Sequence, residues 1–387
     1  MRNEPLGVAV VGCGNIGRTH ANTALECEEL RVVALVDPVP ASADALADTL
    51  EQGGHRRPAT YQELSEALAD PAVDLVVVAT PSGLHIEQSL AVLAAGKHLI
   101  VEKPLDVDLT RAQEIEKAAL AAAERGVISS VISQRRFDPA SVVITKALKA
   151  DRFGRLTSAV ATLPWWRSQG YYDSGDWRGT WAMDGGGALM NQGVHTMDLL
   201  LSFLGRPVEI YARTGLLAHD RVEVEDTAVA TIAFESGALA VLHATTAAYP
   251  ALPNGLHVMG TTGSARIFAD ELEYFHAAGE GDDIGQMGFG WGFNPTLEGN
   301  QADEELQQLG APLTVSTHSA SLGHLRQYRD VLSAIENGTQ PVVRVSDAVL
   351  ALAAVRAVYL SATLGVPVDF DEVVSGKFND VVVATGS

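Results

Sequence analysis

The sequence predicts an α/β protein, with a doubly wound parallel sheet in an N-terminal domain and a largely antiparallel open sheet in a C-terminal α+β domain. Three observations support this fold class. Short apolar runs alternate with helical segments over about the first 130 residues, a glycine-rich turn joins the first run to the first helix, and strand-like runs follow one another after about residue 150. Alternating strands and helices form parallel sheets, whereas successive strands form antiparallel ones.

The N-terminal part contains five short apolar runs rich in β-branched residues, which is typical of strands buried on both faces. These runs are Leu6–Val11, Arg31–Val36, Asp74–Ala79, His98–Val101 and Val127–Ser133. The segments between them are rich in alanine and leucine and predict helices. They are Asn15–Leu25, Ala41–Leu50, Tyr61–Ala69, His85–Ala95 and Asp108–Arg125. We therefore expect a first domain over residues 1–130.

The C-terminal part, residues 131–387, is expected to form the second domain. Its predicted strands are Thr157–Leu163, Pro207–Arg213, Thr227–Phe234, Ala238–Thr245, Gly255–Gly260 and Ser264–Phe268. Its predicted helices are Ala188–Leu204, His324–Glu336 and Ser346–Leu364. The last two, within 324–364, are expected to pack back toward the first domain. The stretch Ala277–Thr317 has no clear period and predicts a long loop.

The composition is that of a globular protein and argues against two classes of partner. Of the 387 residues 47% are hydrophobic and 19% are charged, and the formal net charge is −21. Such an acidic surface repels nucleic-acid phosphates and anionic lipids, so neither nucleic acid nor a membrane is an expected partner. No apolar stretch reaches the ~20 residues that a membrane span needs.

Two cysteines, Cys13 and Cys27, are the whole cysteine content of the chain. They are too few for a disulfide framework, which favours a reducing compartment and makes the cytoplasm the expected location. Two isolated cysteines also make no zinc site, and we expect no bound metal.

The glycine-rich turn Gly12-Cys13-Gly14-Asn15-Ile16-Gly17 matches G-x-G-x-x-G, follows the first strand and opens the first helix. In a dinucleotide-binding loop the first glycine permits a tight turn, the second lets the backbone approach the pyrophosphate, and the third lets helix and strand pack closely. The helix start then offers free N–H groups to the phosphates. Gly12, Gly14, Asn15, Ile16 and Gly17 are therefore candidate cofactor-binding residues in a Rossmann domain.

Asp37 ends the second predicted strand, close to the ~20-residue spacing expected after such a loop. A carboxylate there accepts hydrogen bonds from both ribose hydroxyls of the adenosine half. It would repel a 2′-phosphate, and the following residues, Pro38 and Val39, supply no cation to offset that repulsion. NAD is thus favoured over NADP.

A second group of polar residues follows two further strand ends. Thr80 and Pro81 follow the predicted strand Asp74–Ala79, with His85 at the start of the next helix, and Glu102 and Lys103 follow the predicted strand His98–Val101. Ligands bind outside the carboxyl ends of parallel strands, so all five are candidate cofactor contacts. The Lys103 ammonium can also polarise a carbonyl, and the pKa of a lysine falls readily when the group is desolvated.

The third group lies in the C-terminal part, where Gly185-Gly186-Gly187 precedes Asn191 and His195. Asn191 and His195 are four residues apart and so share one face of a helix, and Asp198 adjoins that face. A histidine can act as a general base near neutral pH.

These motifs carry a resemblance to a known family. The G-x-G-x-x-G loop, the A-T-P-x-x-x-H segment, Glu102-Lys103-Pro104 and the G-G-G-x-x-x-N-x-x-x-H stretch occur in the order seen in the glucose–fructose oxidoreductase, inositol dehydrogenase and rhizopine-catabolism (Gfo/Idh/MocA) family. The sequence resembles this family over nearly its whole length, apart from the stretch around 277–317. The Glu-Lys-Pro motif is the most specific part of the match.

The resemblance implies functional roles for several residues. Lys103 and His195 match the family's usual catalytic pair, and Arg135 and Tyr249 would face the substrate. Asn191 stands where inositol dehydrogenases have an aspartate, and an amide can orient a hydroxyl but cannot carry a proton at pH 7. This difference weakens an inositol dehydrogenase assignment and leaves Lys103 and His195 to handle protons.

An aromatic-rich run precedes the His195 motif and suits a carbohydrate, because sugar rings stack their C–H faces on aromatic side chains. It contains Trp165, Trp166, Tyr171, Tyr172, Trp177 and Trp181. Ordinary packing or a subunit interface would explain much of the run equally well, and we take Trp165 as its candidate substrate contact. The resemblance also implies a homodimer or homotetramer that associates through the exposed face of the C-terminal sheet.

The sequence thus predicts an NAD-dependent oxidoreductase that moves a hydride between nicotinamide and a hydroxyl or keto carbon of a sugar, polyol, glycoside or nucleotide sugar. Two alternatives stay open. A non-catalytic sugar-sensing regulator on the same fold is expected to lack a usable Lys103 and His195 pair. An NAD-dependent glycoside hydrolase that acts through transient oxidation would keep the glycine loop as well, and would release aglycone without net NADH.

Overall fold

The computed structural model describes residues 4–175, 178–279, 299–310 and 320–385, and these residues form two units. The first unit holds the described residues of Met1–Gln134, Ala182–Gly185 and Ser319–Leu352. The second unit holds those of Arg135–Trp181, Gly186–His318 and Ala353–Ser387.

The described strands, numbered in chain order, are β1 (Leu6–Val11), β2 (Leu30–Val36), β3 (Ala59–Tyr61), β4 (Leu75–Val78), β5 (His98–Val101), β6 (Ser129–Val131), β7 (Leu156–Pro164), β8 (Pro207–Gly215), β9 (Thr227–Phe234), β10 (Leu239–Thr245), β11 (Gly255–Gly260), β12 (Gly263–Phe268), β13 (Glu271–Ala277) and β14 (Val368–Asp369). The described α-helices are α1 (Asn15–Leu25), α2 (Pro40–Gln52), α3 (Leu64–Ala69), α4 (His85–Ala94), α5 (Leu109–Ala123), α6 (Pro139–Lys149), α7 (Gln169–Tyr172), α8 (Val194–Leu204), α9 (Ala302–Leu309), α10 (Ala320–Asn337), α11 (Val345–Leu364) and α12 (Phe370–Val374).

The first unit is built on a six-stranded parallel sheet in the order β3-β2-β1-β4-β5-β6, which confirms the predicted doubly wound sheet. All residues of β1 and β4 are buried, as expected of valine-rich strands covered on both faces. Strand order reverses between β1 and β4, and a ligand binds outside the carboxyl ends of strands at such a switch point. The sequence analysis missed β3, whose three residues are too few to show a period.

Helix α10 belongs to the first unit and contributes to its core. It contacts α1, and its side chains Leu325, Tyr328 and Val331 pack in one cluster with residues of β1, β2 and α2. Helix α10 therefore supplies part of the hydrophobic burial that stabilises the first unit.

The second unit is built on an eight-stranded sheet in the order β13-β12-β11-β7-β10-β9-β8-β14. Its neighbours are antiparallel except for β7 and β10, which run parallel, so the predicted largely antiparallel sheet is confirmed. Burial alternates along β8, β9 and β10, as in a sheet with one covered and one open face. Helices α8 and α12 contact the sheet within this unit.

Several predicted elements of the second unit need correction. The prediction of a loop over Ala277–Thr317 is wrong at residues 302–309, which form α9, because acidic and glutamine-rich sequence hid a short amphipathic helix. Residues 280–298 and 311–319 of that stretch lie outside the described residues, as does Trp177. Helices α6, α7 and α12 and strands β13 and β14 also went unpredicted.

One described helix, α11, is long and apolar enough to cross a membrane by length and composition. The expectation that no segment reaches this length is therefore wrong. Of its most apolar window 72% is buried within the protein, which is typical of a core helix.

Candidate active site

The glycine loop between β1 and α1 has the geometry that a pyrophosphate requires. Gly12 has a φ of 91°, and a Cβ there would lie 2.7 Å from the Ala79 carbonyl oxygen. A Cβ on Gly17 would lie 1.8 Å from the Gly12 carbonyl oxygen, whereas one on Gly14 would meet nothing within 4 Å. Gly12 and Gly17 thus serve tight packing, and Gly14 leaves open space beside the start of α1. A dinucleotide phosphate fits this cradle.

Asp37 lies directly beside the loop and is held by backbone donors. Its Oδ2 atom accepts a hydrogen bond of 2.9 Å from the Cys13 N–H, and its Oδ1 atom accepts one of 2.9 Å from the Val39 N–H. These bonds fix the carboxylate at the end of β2. Burial, with a smaller contribution from the Asp37 charge, raises the pKa of the Cys13 thiol to about 12, so this thiol stays protonated.

His85 ties two strand ends together. Its ring is buried, with Nδ1 at 2.9 Å from the Pro104 carbonyl oxygen and Nε2 at 2.8 Å from the Thr80 carbonyl oxygen. Burial lowers the pKa of His85. The Thr80 hydroxyl donates to Gln88 over 2.6 Å. The segments that carry Thr80 and Lys103 are therefore linked, while a contact of His85 with the cofactor stays a prediction.

Glu102 and Lys103 follow β5 in different environments. Glu102 is 6% exposed, and Lys103 is half-buried. The Glu102 Oε2 atom accepts a hydrogen bond of 2.9 Å from the Lys103 N–H, and the Lys103–Pro104 peptide bond is cis. Glu102 thus fixes the backbone at the residue whose ammonium group is the candidate acid or base.

A buried network stands behind Glu102. Its Oε1 atom lies 2.9 Å from His20 Nε2 and 3.8 Å from His324 Nε2, and His20 Nδ1 lies 2.9 Å from the Tyr328 hydroxyl. Burial alone would raise the pKa of Glu102, but the hydrogen bond from His20, the nearby His324 ring and the charge of Lys103 hold it well below its usual range. Glu102 is therefore a buried carboxylate anion beside Lys103.

The same three side chains have the composition of a metal site. The candidate ligand atoms of His20, Glu102 and His324 lie within 4.8 Å of one another. His20 already lies at hydrogen-bond distance from both Glu102 and Tyr328, so these side chains form a hydrogen-bond network.

In the second unit, Glu225 organises the glycine segment that leads to His195. Glu225 is fully buried and accepts hydrogen bonds from the Gly187 N–H (2.9 Å), the Leu189 N–H (2.9 Å) and the Tyr359 hydroxyl (3.0 Å). A Cβ on Gly187 would lie 1.7 Å from the Glu225 carbonyl oxygen. Burial raises the pKa of Glu225 to about 7, against the effect of these donors.

The helix that carries Asn191 and His195 begins with an irregular turn. Residues Leu189–Gly193 form a π-helical turn, and α8 continues from Val194. The predicted helix is therefore confirmed, with a π turn that the spacing did not reveal. Such turns are frequent at functional sites. The Asn191 side-chain amide donates to the Gly186 carbonyl oxygen over 3.1 Å, and both Asn191 and His195 are partly exposed.

The remaining predicted substrate residues also lie in the second unit. Arg135 forms an ion pair with Asp270 over 3.0 Å, and its guanidinium lies 6.0 Å from the centre of the Trp165 ring. Tyr249 is 78% exposed and packs edge-on against Trp166, with ring centres 5.1 Å apart. Arg135 and Trp165 are thus brought together, and Tyr249 stays open to a ligand.

Asp198 is ion-paired with Arg136. The Arg136 guanidinium donates to both of its carboxylate oxygens, over 2.8 and 2.5 Å, and both side chains are largely buried. The pair ties α8 to the segment before α6.

The sequence analysis missed His20, His324, Tyr328, Glu225 and Tyr359. His20 comes three residues after Gly17 in the loop motif, a spacing that could have drawn attention to it. Glu225 is one of two adjacent acids at the start of an apolar strand, which is also an informative signal. His324, Tyr328 and Tyr359 carry no local sequence signal. His324 and Tyr328 lie in the amphipathic helix α10, and Tyr359 lies in the apolar helix α11.

Comparisons with known families agree with this geometry. The family model described as "Oxidoreductase family, NAD-binding Rossmann fold" matches residues 6–133. The model described as "GFO/IDH/MocA C-terminal domain" matches residues 142–266.

Individual relatives cover much of the chain. The 1,5-anhydro-D-fructose reductase of Ensifer adhaerens is 31% identical over 66% of this chain and 73% of its own length. The scyllo-inositol 2-dehydrogenase (NAD(+)) of Bacillus subtilis is 27% identical over 69% of this chain and 75% of its own. The WlbA dehydrogenase of Bordetella pertussis, solved with NADH and UDP-GlcNAcA, is 28% identical, with a TM-score of 0.79 over 95% of this chain and 99% of its own. The chain belongs to the Gfo/Idh/MocA family, and it is an NAD-dependent dehydrogenase acting on CH–OH donors.

Proposed function

We propose that this dehydrogenase transfers a hydride between NAD and a hydroxyl or keto carbon of a sugar, polyol, glycoside or nucleotide sugar, with Lys103 and His195 as its acid and base. The observation that carries the proposal is the placement of Lys103 at the end of β5, with its backbone held by the buried Glu102 carboxylate. Relatives named for inositols and an anhydrosugar, and one solved with a nucleotide sugar, support the substrate class.

The cofactor would be held by the residues at the strand ends of the first unit. Backbone N–H groups of Gly14, Asn15 and Ile16 would bind the pyrophosphate, and Asp37 would accept from the ribose hydroxyls. Thr80, Pro81, His85, Glu102 and Lys103 would border the nicotinamide half. When bound, NAD supplies the nicotinamide carbon that takes or gives the hydride.

Proton transfer is the task of the protein. In the oxidative direction the substrate hydroxyl loses its proton to His195 or Lys103, and in the reductive direction the same group returns it. Asn191, whose amide is held by the Gly186 carbonyl, would orient a neighbouring hydroxyl. Arg135, Trp165 and Tyr249 would contact the rest of the substrate.

The direct test is to follow NADH absorbance with polyols, aldoses, glycosides and nucleotide sugars as substrates. The proposal expects NADH formation with at least one of them. Release of an aglycone without net NADH would instead assign a glycoside hydrolase that uses NAD transiently. A protein that binds NAD and sugars but turns over none of these compounds in either direction would contradict the proposed activity.

Asp37 is expected to make the enzyme prefer NAD to NADP. The carboxylate, fixed by Cys13 and Val39, would lie against a 2′-phosphate, and this repulsion should weaken NADP binding at least about tenfold. Asp37→Ser should reduce the difference between the NAD and NADP affinities. Fluorescence titration with each cofactor measures it, and wild-type preference for NADP would refute this role of Asp37.

We also propose that the open face of the second unit's sheet joins two copies of the chain. Val160, Val229 and Val241 are 37%, 45% and 42% exposed on this face. Val241 pairs with Val160 on one side and with Thr231 on the other, and Thr231 pairs in turn with Tyr211, so these side chains form one row across four strands. A contiguous exposed apolar patch of this kind is typical of an interface.

Light scattering should therefore give the mass of a dimer or tetramer at micromolar concentration. Val241→Lys at the centre of the row should shift the mass toward the monomer, because it would bury an unpaired charge. Val342→Lys is the control, since Val342 is 56% exposed and lies in the first unit. If the wild-type protein is a monomer, the proposed interface is wrong, whereas the description of the fold still holds.

A cytoplasmic location remains our proposal. Both cysteines, Cys13 and Cys27, are free and buried, which suits a reducing compartment.

A further inference from the structure

We propose that the second unit contains a subsite for an anionic group, a carboxylate or a phosphate, and that Arg167 is its principal ligand. This inference rests on the proposed function, because it assigns the bound anion to the carbohydrate substrate. The subsite consists of Arg167, the two aromatic rings that flank it, Trp165 and Tyr171, and a second guanidinium from Arg178.

The first observation is that Arg167, in a strongly acidic chain, has no carboxylate partner among the described side chains. The chain has 27 Lys and Arg against 48 Asp and Glu, so acidic partners are abundant. Described arginines that form ion pairs are Arg57, Arg135, Arg136, Arg152, Arg206, Arg221, Arg266 and Arg344. Arg167 is half-buried, yet no side chain within the described ranges forms a hydrogen bond or an ion pair with its guanidinium, and its Nε atom is buried.

The second observation is the aromatic setting of this guanidinium. Its carbon lies 5.6 Å from the centre of the Trp165 ring and 4.8 Å from that of the Tyr171 ring. Arg178 lies 4.5 Å from the same Tyr171 ring and donates to the Tyr171 hydroxyl over 3.0 Å. Two guanidinium groups thus share one ring. Stacking on a ring leaves the edge of the Arg167 guanidinium open to bind an anion.

The third observation is that the backbone of Arg167 is fixed. Its N–H donates to the Thr246 carbonyl oxygen over 2.9 Å, and its own carbonyl oxygen lies 2.9 Å from His219 Nε2. His219 is buried, and its Nδ1 atom lies 3.0 Å from the Asp226 carboxylate. A binding group on a rigid backbone loses little conformational freedom when it meets a ligand.

The same connections link Arg167 to the segment that carries His195. Asp226, which holds His219, directly follows Glu225, and Glu225 holds the N–H groups of Gly187 and Leu189. Within the second unit, one buried acidic dipeptide therefore positions both the anion-binding arginine and the start of the His195 helix. This arrangement fits a substrate whose charged group and reacting hydroxyl belong to the same small molecule.

The test is calorimetric titration of the NAD-loaded enzyme with D-glucose, D-glucuronate and glucose 6-phosphate. At least one acidic compound should bind about tenfold to a hundredfold more tightly than glucose, and Arg167→Gln should remove that preference. If Arg167→Gln weakens glucuronate binding more, the group bound is a carboxylate, and if it weakens glucose 6-phosphate binding more, the group is a phosphate. Arg167→Lys should recover only part of it, because an ammonium lacks the planar pair of donors.

Arg206→Gln is the matched control. Arg206 also stacks on an aromatic ring, at 5.0 Å from the centre of Phe370, but it is ion-paired with Asp371 over 2.5 Å. Its replacement should leave all three affinities unchanged. An acidic preference in wild type that disappears in Arg167→Gln supports the subsite even when no compound yields NADH, a result that would refute only the proposed activity. Equal affinity for acidic and neutral compounds, or an acidic preference that survives in Arg167→Gln, overturns the subsite.

Discussion

Replacement of Lys103 or His195 by alanine is expected to lower kcat by about 10²–10⁴-fold, the usual contribution of general acid–base catalysis. Neither residue is expected to hold the pyrophosphate, which we assign to the glycine loop, so the affinity for NAD should stay nearly unchanged. Steady-state NADH formation on the true substrate gives kcat, and titration with NAD gives the affinity. Each lysine or histidine variant thus separates chemistry from cofactor binding.

Two further variants make this test specific. Asn191→Ala should raise KM more than it lowers kcat, because an orienting amide serves the ground state and the transition state alike. His55→Ala is the control, since His55 is exposed and lies beyond α2. If His195→Ala keeps near-normal turnover, His195 is not the proton acceptor, and Lys103 alone or a water chain must carry the proton.

The parts of this protein that the sequence could predict are those coded by local signals. The glycine loop is such a part, because three backbone constraints select glycine at Gly12, Gly14 and Gly17 within six residues. The strand ends that carry Thr80 and Lys103 were equally accessible, since a buried valine-rich run followed by polar residues defines them. Because the carboxyl ends of parallel strands lie at the same edge of the sheet, both strand ends can be placed together even when the positions of the helices are unknown.

The buried supports of the site could not be predicted in the same way. His20 and Tyr328 are 308 positions apart, and His20 and Glu102 are 82 apart. Each looks like an ordinary helical or strand-end residue until folding brings it to the others. Hydrophobic periodicity records which face of an element is buried, but it carries no information about which polar group meets another there.

Backbone irregularities escaped for a different reason. The turn Leu189–Gly193 is π-helical, and spacing arguments that assume a uniform α-helix cannot detect it. Glu225, which holds the N–H of Leu189, lies 36 positions away. The irregular turn and its support therefore become visible only together, in the folded chain.

Glu225 is expected to make the free energy of unfolding fall as the pH rises toward neutrality. Burial raises the pKa of Glu225 from 4.5 to about 7, so between these values the folded protein retains a proton that the unfolded chain has lost. The contribution of protonated Glu225 to the free energy of unfolding is fully present below pH 4.5 and is lost as the pH rises through about 7. The loss amounts to about 3 kcal/mol in the free energy of unfolding.

Denaturant unfolding of wild type and Glu225→Gln between pH 4.5 and 7.5 measures this contribution. The amide cannot ionise, so the variant should lack this downward slope, whatever its stability at any one pH. Glu304→Gln is the control, because Glu304 is exposed in the first turn of α9. Hydrogen bonds from Gly187, Leu189 and Tyr359 to the carboxylate lower the pKa of Glu225 and so oppose the effect of burial. Equal slopes in wild type and variant would mean that these three hydrogen bonds outweigh burial, and that Glu225 stays ionised while it holds the start of the His195 helix.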